Sequence, residues 1–309
     1  MLEINNTAFF SGAFSDTKRQ FNEACTWLER EMGFPYKRTR MGEYEEYLKL
    51  FVNPGAQPPK DDEELVDKFY TFMQASNEAC QIVRLWNTFK AGQHDGLKER
   101  IKKVMSGKSI RAEAIKQNQN GQADDPARDF AYELNVASRF LKGGFAVDLT
   151  DECDVVVNID GQTLFIECKR IKSQSQLNKR VSKAAKQIDK RIGSVRKGKY
   201  GLVALDVTDV LLPDGTVTAT TDARLFNLQI QNAITNYAKE HSEVVTKSIS
   251  RNVAGVLFEF NSTAFISAEN KEPTLCFGRS ACISRLGIKG KKSFSFVEQF
   301  REKIANQNI

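Results

Sequence analysis

The sequence predicts an α/β fold: a mixed central sheet flanked by helices, with an α-helical N-terminal domain. Residues 1–115 show helical periodicity without strand-like alternation, a polar stretch follows, and after Pro126 short apolar runs alternate with amphipathic segments. The 309 residues, 41% hydrophobic and 27% charged with only 7 Pro and 19 Gly, are enough for two domains and exclude collagen-like or broadly disordered classes.

In the N-terminal part, residues 16–32 place Phe21, Cys25 and Leu28 on one face, and 42–52 form a short amphipathic piece. Pro54, Pro58 and Pro59 interrupt the pattern. Residues 61–90 resume it, with acids first, where the helix dipole favours them. Residues 116–125 have linker composition, so 1–115 and 126–309 are the expected units. The first would serve substrate selection, dimerisation or contact with a protein partner.

Beyond the linker, residues 128–142 read as a helix with Phe130, Leu134, Ala137 and Leu141 on one face, ended by Gly143-Gly144. Strands are expected at 145–149, 153–159 and 164–169. A long helix over 174–196 turns Leu177, Val181, Ala184, Ile188 and Ile192 to a core. A buried strand at 200–207, a helix from 223 to 241 or beyond, strands at 253–260 and 275–284, and a helix from about Phe294 complete the order.

The six cysteines lack CxxC spacing and the two histidines, His94 and His241, are far apart, which argues against a zinc site, a disulfide framework and a histidine-based hydrolase triad. Gly107-Lys108-Ser109 resembles the end of a phosphate-binding loop, but position 102 is lysine and the preceding segment is helical in pattern. Nucleotide hydrolysis is not expected. No apolar run reaches the length of a membrane span and no secretory leader stands at the start, so the expected setting is cytoplasmic, without a membrane partner.

Net charge is +6, unevenly spread. Residues 169–199 hold twelve basic residues against one acid, Asp189, directly after an acid-rich stretch from 121 to 168. Lys179, Lys183, Lys186 and Lys190 recur at helical spacing, with Lys172, Arg180 and Arg191 alongside. A solvated helix face normally mixes both signs, so phosphate contacts to a nucleic acid explain this one better. The loop Lys289 to Lys292 extends the expected surface.

Asp160-Gly161 between two apolar runs is a strong hairpin signal. A two-residue turn there sets Asp154 opposite Glu167, and period-two alternation puts Lys169 on the same face. Paired carboxylates repel unless a cation lies between them, and Mg²⁺ suits such a pair because it takes one or two carboxylates, waters and phosphate oxygens. Strand ends merely exposed to solvent are the competing reading, and Asp151 and Glu152 are second-choice ligands if the strand starts earlier.

Asp154 followed by Glu167-Cys168-Lys169 resembles the D…ExK signature of the PD-(D/E)xK nuclease superfamily, especially its Holliday-junction-resolvase-like and Mrr-like branches. Glu133 matches an upstream acid and Gln187 a downstream glutamine of those branches, over residues 126–207. The resemblance implies a restriction-endonuclease-like fold and Mg²⁺-dependent cleavage of DNA, with Mn²⁺ as a substitute and RNA as the less favoured substrate. It implies metal ligation by Asp154, Glu167, the Cys168 carbonyl and Glu133. Lys169 would orient the attacking water or stabilise the phosphorane, and Gln187 would assist. Phage defence, restriction and repair are all compatible settings, as is a homodimer. A binding module without turnover is the rival expectation.

Overall fold

The sheet begins where the sequence predicts only helices. In the computed structural model, which describes residues 2–52, 59–111, 113, 125–150, 153–194, 196–213, 216–266, 274–284, 291–305 and 307, strand β1 (Leu2–Ala13) pairs antiparallel with β8 (Thr274–Ser284). The wholly helical reading of residues 1–115 is thereby corrected. Asn5, Asn6 and Thr7 break the apolar alternation that marks a strand, and a register irregularity falls between Leu2 and Asn6. Helices α1 (Phe14–Arg30), α2 (Arg40–Lys49), α3 (Asp62–Phe89) and α4 (Leu97–Met105) follow. The Asp61 carboxylate caps α3 by accepting from the Glu64 N–H at 2.8 Å.

After α5 (Pro126–Lys142) come β2 (Ala146–Asp148), β3 (Val155–Ile159), β4 (Gln162–Arg170), α6 (Leu177–Ile192) and β5 (Lys199–Asp206). The order continues with α7 (Thr208–Leu211), β6 (Thr218–Thr220), α8 (Ala223–Glu240), α9 (Ser242–Ser248), β7 (Val253–Ile266), β8 and α10 (Lys291–Arg301). The described residues thus form a mixed α/β structure with one eight-stranded sheet, ordered β1-β8-β7-β5-β4-β3-β2, and β6 beside the far end of β7. Strands β4, β5 and β7 run parallel and the flanking pairs antiparallel. Among the described residues no helix is long and apolar enough to cross a membrane.

Leu164, Ile166, Leu202 and Leu257 share a core with α1–α5 and α10, whereas Phe165, Val203, Leu205 and Phe258 share the opposite core with α6, α8 and α9. Residues before and after the expected linker therefore contribute to the same core and the same sheet. Most of that linker, 116–124, lies outside the described residues.

Candidate active site at the β3–β4 hairpin

Asp160 and Gly161 have φ of +48° and +78°, the left-handed pair that a two-residue turn twisting with its strands requires. Register follows from that turn: Val155 pairs with Ile166, Val156 with Phe165 and Ile159 with Gln162. Asp154, one residue before β3, continues this series opposite Glu167. The Cys168 N–H donates to Asp154 Oδ2 at 2.7 Å. Lys169 Nζ then lies 3.2 Å from Asp154 Oδ2 and 3.0 Å from Glu167 Oε2. The three side chains converge as alternation requires.

Glu167 is fully buried, and Cys153 Sγ lies 3.6 Å from its Oε1. Burial first, and Asp154 second, raise the proton affinity of its carboxyl, while Lys169 and Cys153 oppose them. For Lys169, burial alone would favour the neutral amine, but Asp154 and Glu167 beside it carry the ammonium above its ordinary pKa. Lys169 is therefore a charged donor at neutral pH.

Glu133 approaches from α5. Burial and then Asp154 push its carboxyl up to about 8, against the pull of Arg100 and Lys169. Its Oε2 is paired with Arg100 Nη1, whose guanidinium also donates to the carbonyls of Leu149 at 3.1 Å and Cys153 at 3.3 Å. Sequence reasoning missed Arg100 because nothing in Leu97-Lys-Glu-Arg100-Ile-Lys-Lys103 separates one basic residue from the next. The clearest local signal is Gly96, with φ +78°, where a Cβ would meet the Leu149 carbonyl oxygen at 2.7 Å. That close approach docks the start of α4 against Leu149 and Thr150, ahead of β3.

Other expected residues stand apart. Gln187 makes no described contact with the pair; its Oε1 is buried without a hydrogen-bond partner among the described residues. Its neighbour Ile188 packs over Gly201, which registers with Phe165, two residues short of Glu167. The described contact of Cys168 with the pair is through its N–H. Asp151 and Glu152 lie outside the described residues, as do Lys289 and Gly290.

Lys179, Lys183, Lys186 and Lys190 are exposed along α6, and Lys172, Arg180 and Arg191 are half-buried. Asp189 points away from this ridge, accepting from Ser250 Oγ at 2.7 Å and Asn252 Nδ2 at 2.6 Å. Arg170 does not belong to the surface. It is buried among Asp125, Asp129, Asp206 and Asp209, with Asp209 nearest at 2.8 Å.

Among the described residues no group of three or more His, Cys, Asp or Glu side chains gathers as a metal site. Asp154 and Glu167 nevertheless offer hard oxygen donors side by side, and their repulsion is what a hard divalent cation would relieve. Comparison with models of known families and with curated proteins gives no match for this chain.

Proposed function

We propose that this protein is a Mg²⁺-dependent endonuclease hydrolysing DNA phosphodiester bonds, in which α5, β2, β3, β4, α6 and β5 form a restriction-endonuclease-like unit. The observation that carries the reading is the convergence of Asp154, Glu167 and Lys169. The exposed lysine ridge of α6, on the helix packed over that sheet face, supports it by offering phosphate contacts.

Asp154 and Glu167 would hold the cation, with Glu133 behind them and Mn²⁺ as a substitute. Mg²⁺, when bound, supplies Lewis acidity toward the scissile phosphate and a bound water of lowered pKa. Lys169, protonated, cannot act as the base; it would donate to the attacking water or to the phosphoryl oxygens on which negative charge grows. Arg100 holds Glu133 and the carbonyls of Leu149 and Cys153 in place, so the carboxylates need not reorganise when phosphate arrives.

Incubation of supercoiled plasmid, and separately RNA, with Mg²⁺ or EDTA tests the proposal. DNA should be cut only with the metal, and not by an Asp154→Ala, Glu167→Ala double variant. Cleavage that survives EDTA or the double substitution overturns it. One observation favours a second reading, a nucleic-acid-binding module without turnover: the Lys169 ammonium contacts both carboxylates and itself offsets their repulsion. Binding without cleavage under Mg²⁺ and Mn²⁺ selects that reading.

A further inference from the structure

Away from the hairpin, three arginines meet around one carboxylate inside the larger core. Arg84 on α3, Arg139 on α5 and Arg279 on β8 are 0%, 1% and 4% exposed, and Glu259 on β7 is 1% exposed. Arg139 Nε lies 2.6 Å from Glu259 Oε1, and Arg279 Nη2 lies 2.8 Å from both Glu259 oxygens. Arg84 has no carboxylate in contact among the described residues. It donates to Ser138 Oγ at 3.1 Å and Gln307 Oε1 at 3.0 Å. Backbone carbonyls complete the set: Ile304 accepts from Arg139 at 3.0 Å and Asn135 from Arg279 at 3.1 Å.

After these bonds, Arg84 Nη1, Arg139 Nη2 and Arg279 Nη1 are still buried without a hydrogen-bond partner among the described residues. The spare groups nearby that could accept, Asn135 Oδ1 and the Tyr132 hydroxyl, are both neutral. A guanidinium does not shed its proton in a protein, so among the described residues three positive groups face one negative group in a medium that solvates neither. Neighbouring groups register the excess. Lys142 is brought down to about 8, first by burial and then by Arg84 and Arg279, and Arg139 to about 10 by burial and then Arg279.

We propose that a small inorganic anion of halide size binds inside this arginine cluster, between α3, α5 and strands β7 and β8, and completes its charge balance. A spherical monoanion imposes no fixed bond geometry on donors that come from three different elements. It also occupies little more than the space of one buried water, which suits a close-packed interior better than a tetrahedral oxyanion does. Because Arg84 belongs to the N-terminal helices and Arg279 to the sheet, the anion joins two parts of the structure. The inference does not depend on the nuclease reading.

Thermal unfolding of the full chain at constant ionic strength, with gluconate exchanged for chloride, provides the test. The Tm should rise with chloride and saturate, by about 3–6 °C between low millimolar and physiological concentrations, as ligand linkage requires. Arg84→Met, which keeps length and removes the guanidinium lacking a carboxylate, should fold and lose most of this dependence. A crystal of the unaltered protein soaked in bromide should show an anomalous peak in contact with the three guanidinium groups. An equal Tm in both anions, chloride dependence undiminished in Arg84→Met, or a soaked crystal without that peak overturns the proposal. The soak decides the matter if the variant does not fold.

Discussion

The main-chain N–H of Cys168 donates to Asp154 Oδ2 at 2.7 Å, so a residue lying before the first paired residue of β3 is fixed by the backbone of β4. This bond orders Asp154 independently of any ligand and turns its carboxylate toward Lys169. A charge-assisted bond of this kind is stronger than a neutral one, and it leaves the other oxygen of Asp154 for a cation.

Replacing Lys169 by Met should leave the fold intact and lower Mg²⁺-dependent plasmid cleavage by about 100-fold or more, the usual scale for one donor to developing charge. The two carboxylates then face each other unrelieved and no ammonium competes with the cation, so the requirement should shift to lower Mg²⁺ concentration even as the rate falls. Nicking rates measured across a Mg²⁺ series check both effects. Undiminished cleavage would remove Lys169 from the mechanism.

Arg100→Leu strips Glu133 of its cation and frees the carbonyls of Leu149 and Cys153. Leaving the Glu133 carboxyl and two carbonyls without their buried donor is expected to destabilise the protein by about 3–5 kcal/mol. Urea unfolding of the variant measures this directly. A loss below about 1 kcal/mol would mean that the segment before β3 is held by something other than this guanidinium.

The α6 ridge makes a different prediction, because its lysines are exposed and away from the core. Changing Lys179, Lys183, Lys186 and Lys190 together to Gln should alter stability by no more than about 0.5 kcal/mol per site. Non-specific DNA binding should weaken, and the salt dependence of its logarithm should flatten by up to roughly 0.9 for each phosphate that a lysine no longer neutralises. Fluorescence anisotropy at several salt concentrations reads the slope. An unchanged slope would assign the ridge to solvent alone.

Acid should weaken the core through Glu259. Burial alone would raise its pKa, but Arg279 and Arg139 hold the carboxyl down at about 2. The unfolded chain titrates near the ordinary value of about 4.3, so it takes up the proton first as pH falls. The stabilisation, roughly 3 kcal/mol, is therefore present above about pH 4.5 and is lost between there and about pH 2. Glu78 and Asp125 are held below their ordinary values by arginines in the same way, despite their burial. Urea midpoints at pH 7, 4 and 3 should fall in that order, and Glu259→Gln should flatten the trend.

How much of this was legible in the sequence follows from how local each interaction is. The Asp160-Gly161 turn sits between the strands it joins, so the pairing of Asp154 with Glu167 could be counted before any fold was known, and alternation carried Lys169 to the same face. The apolar face of α6 was equally local. The elements expected after Pro126 consequently fall near their places, the 174–196 helix being shorter with a 3₁₀ turn at its start and β7 running on to Ile266, whereas α7 and β6 were not expected.

Other features needed distant parts of the chain. Strand β1 exists because β8, near the other end of the sequence, offers it an edge; its own Asn-Asn-Thr pattern does not specify extension. Arg100 reaches Glu133 through the docking of α4, and Arg170, one residue from Lys169, turns to the opposite face and is buried among four aspartates. The sequence alone determined the hairpin register, the α6 ridge and the chemistry those residues offer. Which basic residues face water and which carry charge inside the core was decided only by tertiary structure, because a charge count records sign and order, whereas burial and partnership arise when distant segments meet.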